Sequence, residues 1–217
     1  MSQFELTARN KVQRHSERGQ YDKDLIYSII DEALICHVGF VQDDQPFVIP
    51  TIHARIGDTI VLHGAVASRM LHHVADGYPL CVTCTLLDGL VFARSVFNHS
   101  MNYRSVVVFG RGQLIGDDEE KMEALTAIVE HVARGRWYDS RLPTRKELGA
   151  TTVVKLPIES ASAKIRTGPP KDDEEDYALP IWAGVLPLTQ QPLVPVADPK
   201  LTDGIVTPEY VRQYSRQ

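Results

Sequence analysis

The stretch Val48-Ile49-Pro50-Thr51-Ile52-His53-Ala54-Arg55-Ile56-Gly57-Asp58-Thr59-Ile60-Val61-Leu62-His63-Gly64-Ala65-Val66-Ala67-Ser68-Arg69-Met70 decides how this chain is read. Apolar, β-branched runs at Phe47-Val48-Ile49 and Thr59-Ile60-Val61-Leu62 stand on either side of Gly57-Asp58, a dipeptide that signals a tight hairpin. Past the second run the period changes. Ser68 is followed by Met70, Leu71 and Val74, one apolar face of a short helix that ends at Gly77, so Ser68 takes the cap and Arg69 the first turn. A helix start offers free N–H groups and a positive dipole end to an anion, and an arginine adds a permanently charged, bidentate fork. The same residues also suit an ordinary cap beside a solvated arginine, and the segment alone leaves both readings open.

Working outward, Asp22 can cap a helix carrying Leu25, Ile26, Ile29 and Ile30 at helical spacing. Strands are expected over 34–41, 47–54 and 59–63, then over 80–87 and 90–97 joined by a second hairpin signal at Asp88-Gly89, then over 103–115. Asp117 with Glu120 predicts a capping box for a helix carrying Met122, Leu125, Ile128, Val129 and Val132, and a last strand covers about 151–158. The segment from Ser162 to Pro180 is polar and Pro-rich; its acidic run, Asp172 to Asp176, reads as a solvated loop, with a metal site as the lesser alternative. Pro192, Pro195, Pro199 and Pro208 favour extended chain over helix in the tail, a composition that suits wrapping a partner subunit. The expected architecture is therefore mainly β with flanking α, an antiparallel barrel whose closure removes sheet edges, in a single domain over 1–217 with a core at about 18–187 and an extended tail at 188–217.

Composition narrows the function classes. With 217 residues, 43% hydrophobic and 24% charged, the chain can bury one sizeable core. A net charge of −5 argues against a nucleic-acid partner, no apolar run approaches the length of a membrane span, and no secretory signal opens the sequence, so the cytoplasm is expected. Cys36, Cys81 and Cys84 are too few and odd for a disulfide framework. Cys81 and Cys84 lie three apart in a strand and so point to opposite faces, which suits core thiols better than a chelating pair. His37, His53 and His63 could face one another across neighbouring strands and offer an axial haem or metal ligand, but no carboxylate or cysteine stands at ligand spacing, and no metal site is assigned. His72 and His73 diverge on their helix, and His131 reads as structural.

The hairpin, the Ser-Arg pair opening a helix, and the strand Tyr103-Arg104-Ser105-Val106-Val107-Val108-Phe109-Gly110 together resemble the pyridoxamine 5′-phosphate oxidase-like family of FMN-binding split barrels. The chain is more closely similar to its flavin-nucleotide-binding, pyridoxamine-phosphate-oxidase-related branch. The segments that carry this are Asp31 to Val38, Ile49-Pro50-Thr51, Leu62-His63-Gly64, Ala67-Ser68-Arg69-Met70, His99 to Ser105, Ser162 to Pro170 and Trp182-Ala183-Gly184-Val185. The resemblance implies a flavin, FMN with FAD as the alternative, held at a homodimer interface. By it, Ile49, Pro50, Thr51 and Ile52 would run along the isoalloxazine edge, Leu62, His63 and Gly64 would lie beside ring and ribityl chain, and Ser68 and Arg69 would bind phosphate. Met70 stands where the oxidases often have a lysine. Arg104 and Ser105 would approach from the other subunit, Ser105 in place of a commoner glutamine, with His99 as the histidine nearest the cofactor. Lys164, Arg166 and Trp182 resemble the elements that close the site, and Lys164 or Arg166 could stabilise a reduced flavin. The implied activity is a flavin-dependent oxidoreductase acting on a small organic molecule, a nitroaromatic among the candidates, with no catalytic residue identified. Alternatives are a flavin-binding storage, sensor or electron-carrying protein, pyridoxamine 5′-phosphate oxidation proper, and a haem-binding barrel.

Overall fold

The computed structural model describes residues 2–215 and consists of two antiparallel sheets with helices packed against them. The strands are β1 (Gly19–Gln20), β2 (Ile35–Gln42), β3 (Gln45–Ile52), β4 (Ala54–Ile56), β5 (Thr59–Ala65), β6 (Pro79–Phe92), β7 (Ser100–Arg111), β8 (Gln113–Leu114), β9 (Thr151–Pro157), β10 (Ser160–Arg166) and β11 (Gly184–Pro187). The helices are α1 (Lys23–Glu32), α2 (Arg69–Ala75), α3 (Asp118–Val132), α4 (Arg145–Gly149) and α5 (Glu209–Arg212). One sheet runs β1-β10-β7-β6-β2-β3 with β11 added to β6, and the other runs β4-β5-β9-β8. Arg216 and Gln217, at the end of the expected tail, lie outside the described residues.

Local chemistry sets these elements as the sequence anticipates at several points. Asp22 accepts from the Leu25 amide to open α1, and Ile26, Ile29 and Ile30 on its inner face are fully buried against Val38, Val82, Val106 and Ala163. Each such isoleucine contributes about 1.5–3 kcal/mol. Gly57-Asp58 does form the β4–β5 hairpin. A second cluster sets Ala124 and Ile128 of α3 against Ala54, Val61 and Val153.

Two single residues divide what the sequence reads as continuous strands. His53 alone separates β3 from β4, so the expected 47–54 strand changes sheets, and β3 pairs with β2 rather than across the Gly57-Asp58 turn. The His53 ring is buried with Nε2 3.0 Å from the Ile30 carbonyl, which fixes the corner. Gly112 alone separates β7 from β8, dividing the expected 103–115 strand. A Cβ at Gly112 would stand 2.1 Å from Val74 Cγ1, so only glycine lets the chain cross beneath α2.

Other expectations are corrected. Asp88-Gly89 makes no hairpin: β6 runs straight through it with a register shift between Leu87 and Gly89, because β11 pairs on that side and a Gly89 Cβ would crowd the Leu186 carbonyl at 3.0 Å. The strand ends at Phe92, and Val96–Asn98 is a 3₁₀ turn. The polar segment from Ser162 begins inside β10, whose Ala161 and Ala163 are buried beneath α1; small side chains there hide the strand from an apolar-run reading. Asp117 caps α3, but the Glu120 carboxylate turns to Lys155 at 2.6 Å, so the box is half formed. A complete capping box occurs instead at Thr144 and Glu147, where Arg141 and the cap hold the Glu147 carboxyl down at about 2. The tail is extended as far as Pro208 and then turns into α5.

Gly112→Ala is expected to cost about 1–3 kcal/mol through the clash with Val74. Gly116→Ala, where a Cβ meets nothing within 4 Å, should stay within about 0.5 kcal/mol. Urea midpoints of the two variants check this; equal stability would show that the crossing does not need a glycine.

Candidate functional site in the barrel split

The sheet change at His53 leaves open backbone. β3 pairs only with β2, and the two-residue turn at Asp43-Asp44 makes Gln42 and Gln45 the closing pair. Gln45, Phe47, Ile49 and Thr51 therefore direct their N–H and C=O groups to β2, and the alternate residues face the free edge. Pro46 and Pro50 fall among the latter, where no ladder N–H is missed. Val48 and Ile52 are thus the two N–H donors on the free edge of β3. β5 is open in the same way. Its pairing with β4 begins at Val61, so His63, Gly64 and Ala65 have β9 on one side and no strand on the other.

α2 begins in this split. Ser68 caps it, its hydroxyl accepting from the Leu71 amide at 3.4 Å, and Arg69 places its guanidinium 4.2 Å over the Phe47 ring of β3. Arg69 faces a cleft of about 660 Å³ whose lining also includes His72, Tyr78, Asp43 and Asp76. Met70, in place of a second cation, is buried in the core. His63 is half-buried, and its Nδ1 is buried without a hydrogen-bond partner; burial lowers its pKa, so the ring is neutral at pH 7. Ile49, Pro50, Thr51 and Ile52 lie on the edge strand β3, whose Phe47 meets Arg69, while Leu62, His63 and Gly64 lie on β5, which leads through Ala65 into Ser68 and α2; the Leu62 side chain itself points into the core. Open edges, helix-start amides and a guanidinium fit a ligand that has a planar heterocycle at one end and phosphate at the other.

The remaining expected site residues are elsewhere in the chain. The Arg104 guanidinium is gripped by Glu32 and by Asp88, at 2.7 and 3.0 Å from the latter, and these carboxylates raise its pKa further. Ser105 bonds the Lys164 carbonyl at 3.3 Å, and Lys164 reaches the Arg14 carbonyl at 2.8 Å. Arg166 is buried, bonded to Asn102 and to the carbonyls of Gly168 and Pro169, and burial is the chief cause lowering its pKa. β10 stands four strands from β3, roughly 19 Å at ordinary strand spacing. His99 and Trp182 flank Phe92 at the end of β6, which is two strands from β3. One chain does not bring these two groups of residues together.

His37, His53 and His63 do not converge: His37 is exposed on β2, His53 is buried at the corner, and His63 is in the other sheet. His131 is structural, 2.8 Å from the Ala33 carbonyl. Cys81 and Cys84 do take opposite faces. Cys84 is buried with its thiol pushed up to about 12, whereas Cys81 is only half-buried. Asp172 is not a solvated acid. Burial would raise its pKa, but Arg94 at 3.1 Å and the Arg94 and Ser95 amides outweigh that and lower it. The stacking of Arg69 on Phe47 and the meeting of Phe92 with both His99 and Trp182 arise from tertiary placement and leave no local sequence signal, whereas the spacing of Pro46 and Pro50 is one that marks an edge strand.

The pattern of the pyridoxamine 5′-phosphate oxidase family matches residues 22–165. The structure is similar to the flavocytochrome Anf3 from Azotobacter vinelandii, at 41% identity and a TM-score of 0.89, covering 94% of this chain and 95% of that one. It is similar to the FAD and haem binding protein from Mycobacterium smegmatis at 36% identity and 0.86, covering 90% and 96%. It also resembles a putative 5-nitroimidazole antibiotic resistance protein from Bacteroides thetaiotaomicron at 27% identity and 0.57, covering 66% and 84%. Among curated proteins none matches significantly. With its split between two antiparallel sheets and these matches over most of its length, the chain belongs to the pyridoxamine 5′-phosphate oxidase-like family of flavin-binding split barrels.

Proposed function

We propose that this protein binds FAD in the split between β3 and β5 at the interface of a homodimer, carries a haem as a second redox group, and acts as an oxidoreductase on a small molecule. The observation that carries the reading is the Arg69 guanidinium at the start of α2, stacked 4.2 Å over Phe47 of β3, a strand whose outer edge is unpaired among the described residues. The edge of β3 would hold the ring, and Arg69 with the first amides of α2 would hold phosphate. A flavin supplies one- and two-electron transfer; this chain's part is to fix the ring and set the charge around it. FAD is preferred to FMN because a relative at 36% identity is an FAD and haem binding protein, and because the cleft beyond Arg69 has room for a nucleoside beside the exposed Tyr78. Three unpaired thiols suit the reducing cytoplasm, and no helix among the described residues is long and apolar enough to cross a membrane.

The homodimer rests on the outer face of β2 and β3. Ile35 pairs with Ile52 and His37 with Pro50 in register, and Ile35, Val41, Val48 and Ile52 are all exposed. Ile35→Asp is expected to shift the protein from dimer to monomer in sedimentation velocity; an intact dimer would contradict this choice of face.

The cofactor is tested by the absorbance spectrum of the purified protein and chromatography of what heat releases. Flavin bands together with a haem Soret band, and release of FAD, are expected. Arg69→Ala should weaken flavin affinity about 10–100-fold, as for loss of a charged hydrogen bond. A colourless protein that takes up no added flavin would overturn the reading.

A further inference from the structure

We propose that His99 is the axial ligand of the haem. This rests on the flavin and haem reading above and adds the coordinating residue, which no similarity supplies.

His99 follows the 3₁₀ turn Val96–Asn98, immediately before β7. Its Nδ1 lies 2.9 Å from the Ser95 carbonyl. A carbonyl only accepts, so Nδ1 carries the proton, and Nε2 is left with its lone pair on an exposed ring. That is the arrangement by which a backbone carbonyl fixes the tautomer and direction of a metal-ligating imidazole and raises its basicity.

The surroundings suit a large flat apolar ligand. Phe92 meets the His99 ring edge-on at 6.0 Å, and Trp182 lies 6.0 Å from Phe92 on its other flank. Val96 and Phe97, on the 3₁₀ turn before His99, are 89% and 92% exposed, and Trp182, beside Phe92, is 69% exposed. The loop carrying Val96 and Phe97 is nonetheless held firmly. The shielded Asp172 carboxylate binds the Arg94 and Ser95 amides and the Arg94 guanidinium, and Ser95 Oγ accepts from the Phe97 amide at 3.3 Å. A preorganised imidazole beside exposed aromatics is what axial ligation needs.

No other described histidine combines these features. His53 and His131 also have a ring nitrogen on a backbone carbonyl, but His53 is fully buried and His131 half-buried on α3. His73 is buried between Phe40 and Tyr78, and His63 is half-buried. His15 contacts Glu17. His37 and His72 are exposed, but no carbonyl fixes either ring. His37, within the apolar face of β2 and β3, is the competitor that the experiment addresses.

The test loads full-length protein with ferric haem and compares wild type, His99→Gly and His37→Gly by Soret absorbance and electron paramagnetic resonance, with flavin content as the check on folding. His99→Gly should keep its flavin, lose the imidazole-ligated haem signature, and regain it on addition of free imidazole, whereas His37→Gly should match wild type. An unchanged haem spectrum in His99→Gly, or loss of ligation in His37→Gly instead, would overturn the proposal while leaving the haem reading intact. Wild-type protein that holds flavin but takes up no haem would overturn both.

Discussion

The change of sheet at His53 is the constraint on which the rest depends. A strand entering from β2 could have continued past residue 52 in the same ladder; instead the buried imidazole, tied to the Ile30 carbonyl, turns the chain into the second sheet. The consequence is two sheets joined at this corner, with the outer edge of β3 and the far end of β5 unpaired among the described residues. An open edge in a soluble protein is ordinarily a hazard, blunted by prolines or charges. Here Pro46 and Pro50 remove half of its donors, and Arg69 stacked on Phe47 stands at one end. The edge is therefore selective in what it offers: two N–H groups, a run of carbonyls and one cation.

The second crossing, at Gly112, completes the geometry from the opposite direction. Because β7 and β8 are separated by a residue with no side chain, α2 can press Val74 onto the chain and so sit inside the mouth of the split. The position of Ser68 and Arg69 thus follows from packing beneath the helix as much as from its cap. The buried Met70 belongs to the same account: the residue that could have been a second phosphate cation anchors the helix in the core instead. Anion affinity then falls on Arg69 and the first amides of α2.

What the sequence made legible was local. Asp22, Asp117 and Ser68 cap their helices, Gly57-Asp58 turns a hairpin, and Cys81 and Cys84 diverge, because each depends only on residues a few positions away. The failures share one physical origin, a distant segment overriding a local signal. Asp88-Gly89 reads as a turn, but β11, about a hundred residues on, pairs beside it and holds the strand straight. Glu120 reads as half of a capping box, but Lys155 claims its carboxylate. Ser162 to Arg166 reads as the start of a polar segment, yet it belongs to β10, whose buried Ala161 and Ala163 pack in the core with α1. The site divided along the same line. Residues close in sequence, from β3 to the start of α2, are linked by Arg69 over Phe47, whereas Arg104, Lys164 and Arg166 are engaged by carboxylates and carbonyls within their own chain.

The central claim is that the free edge of β3 holds the cofactor. Residue-resolved amide hydrogen exchange on flavin-free and flavin-loaded protein tests it most directly. The account predicts that the Val48 and Ile52 amides exchange markedly more slowly once flavin is bound, while the already paired Phe47 and Ile49 amides change little. Flavin binding that protects other amides and leaves Val48 and Ile52 exchanging as before would contradict it.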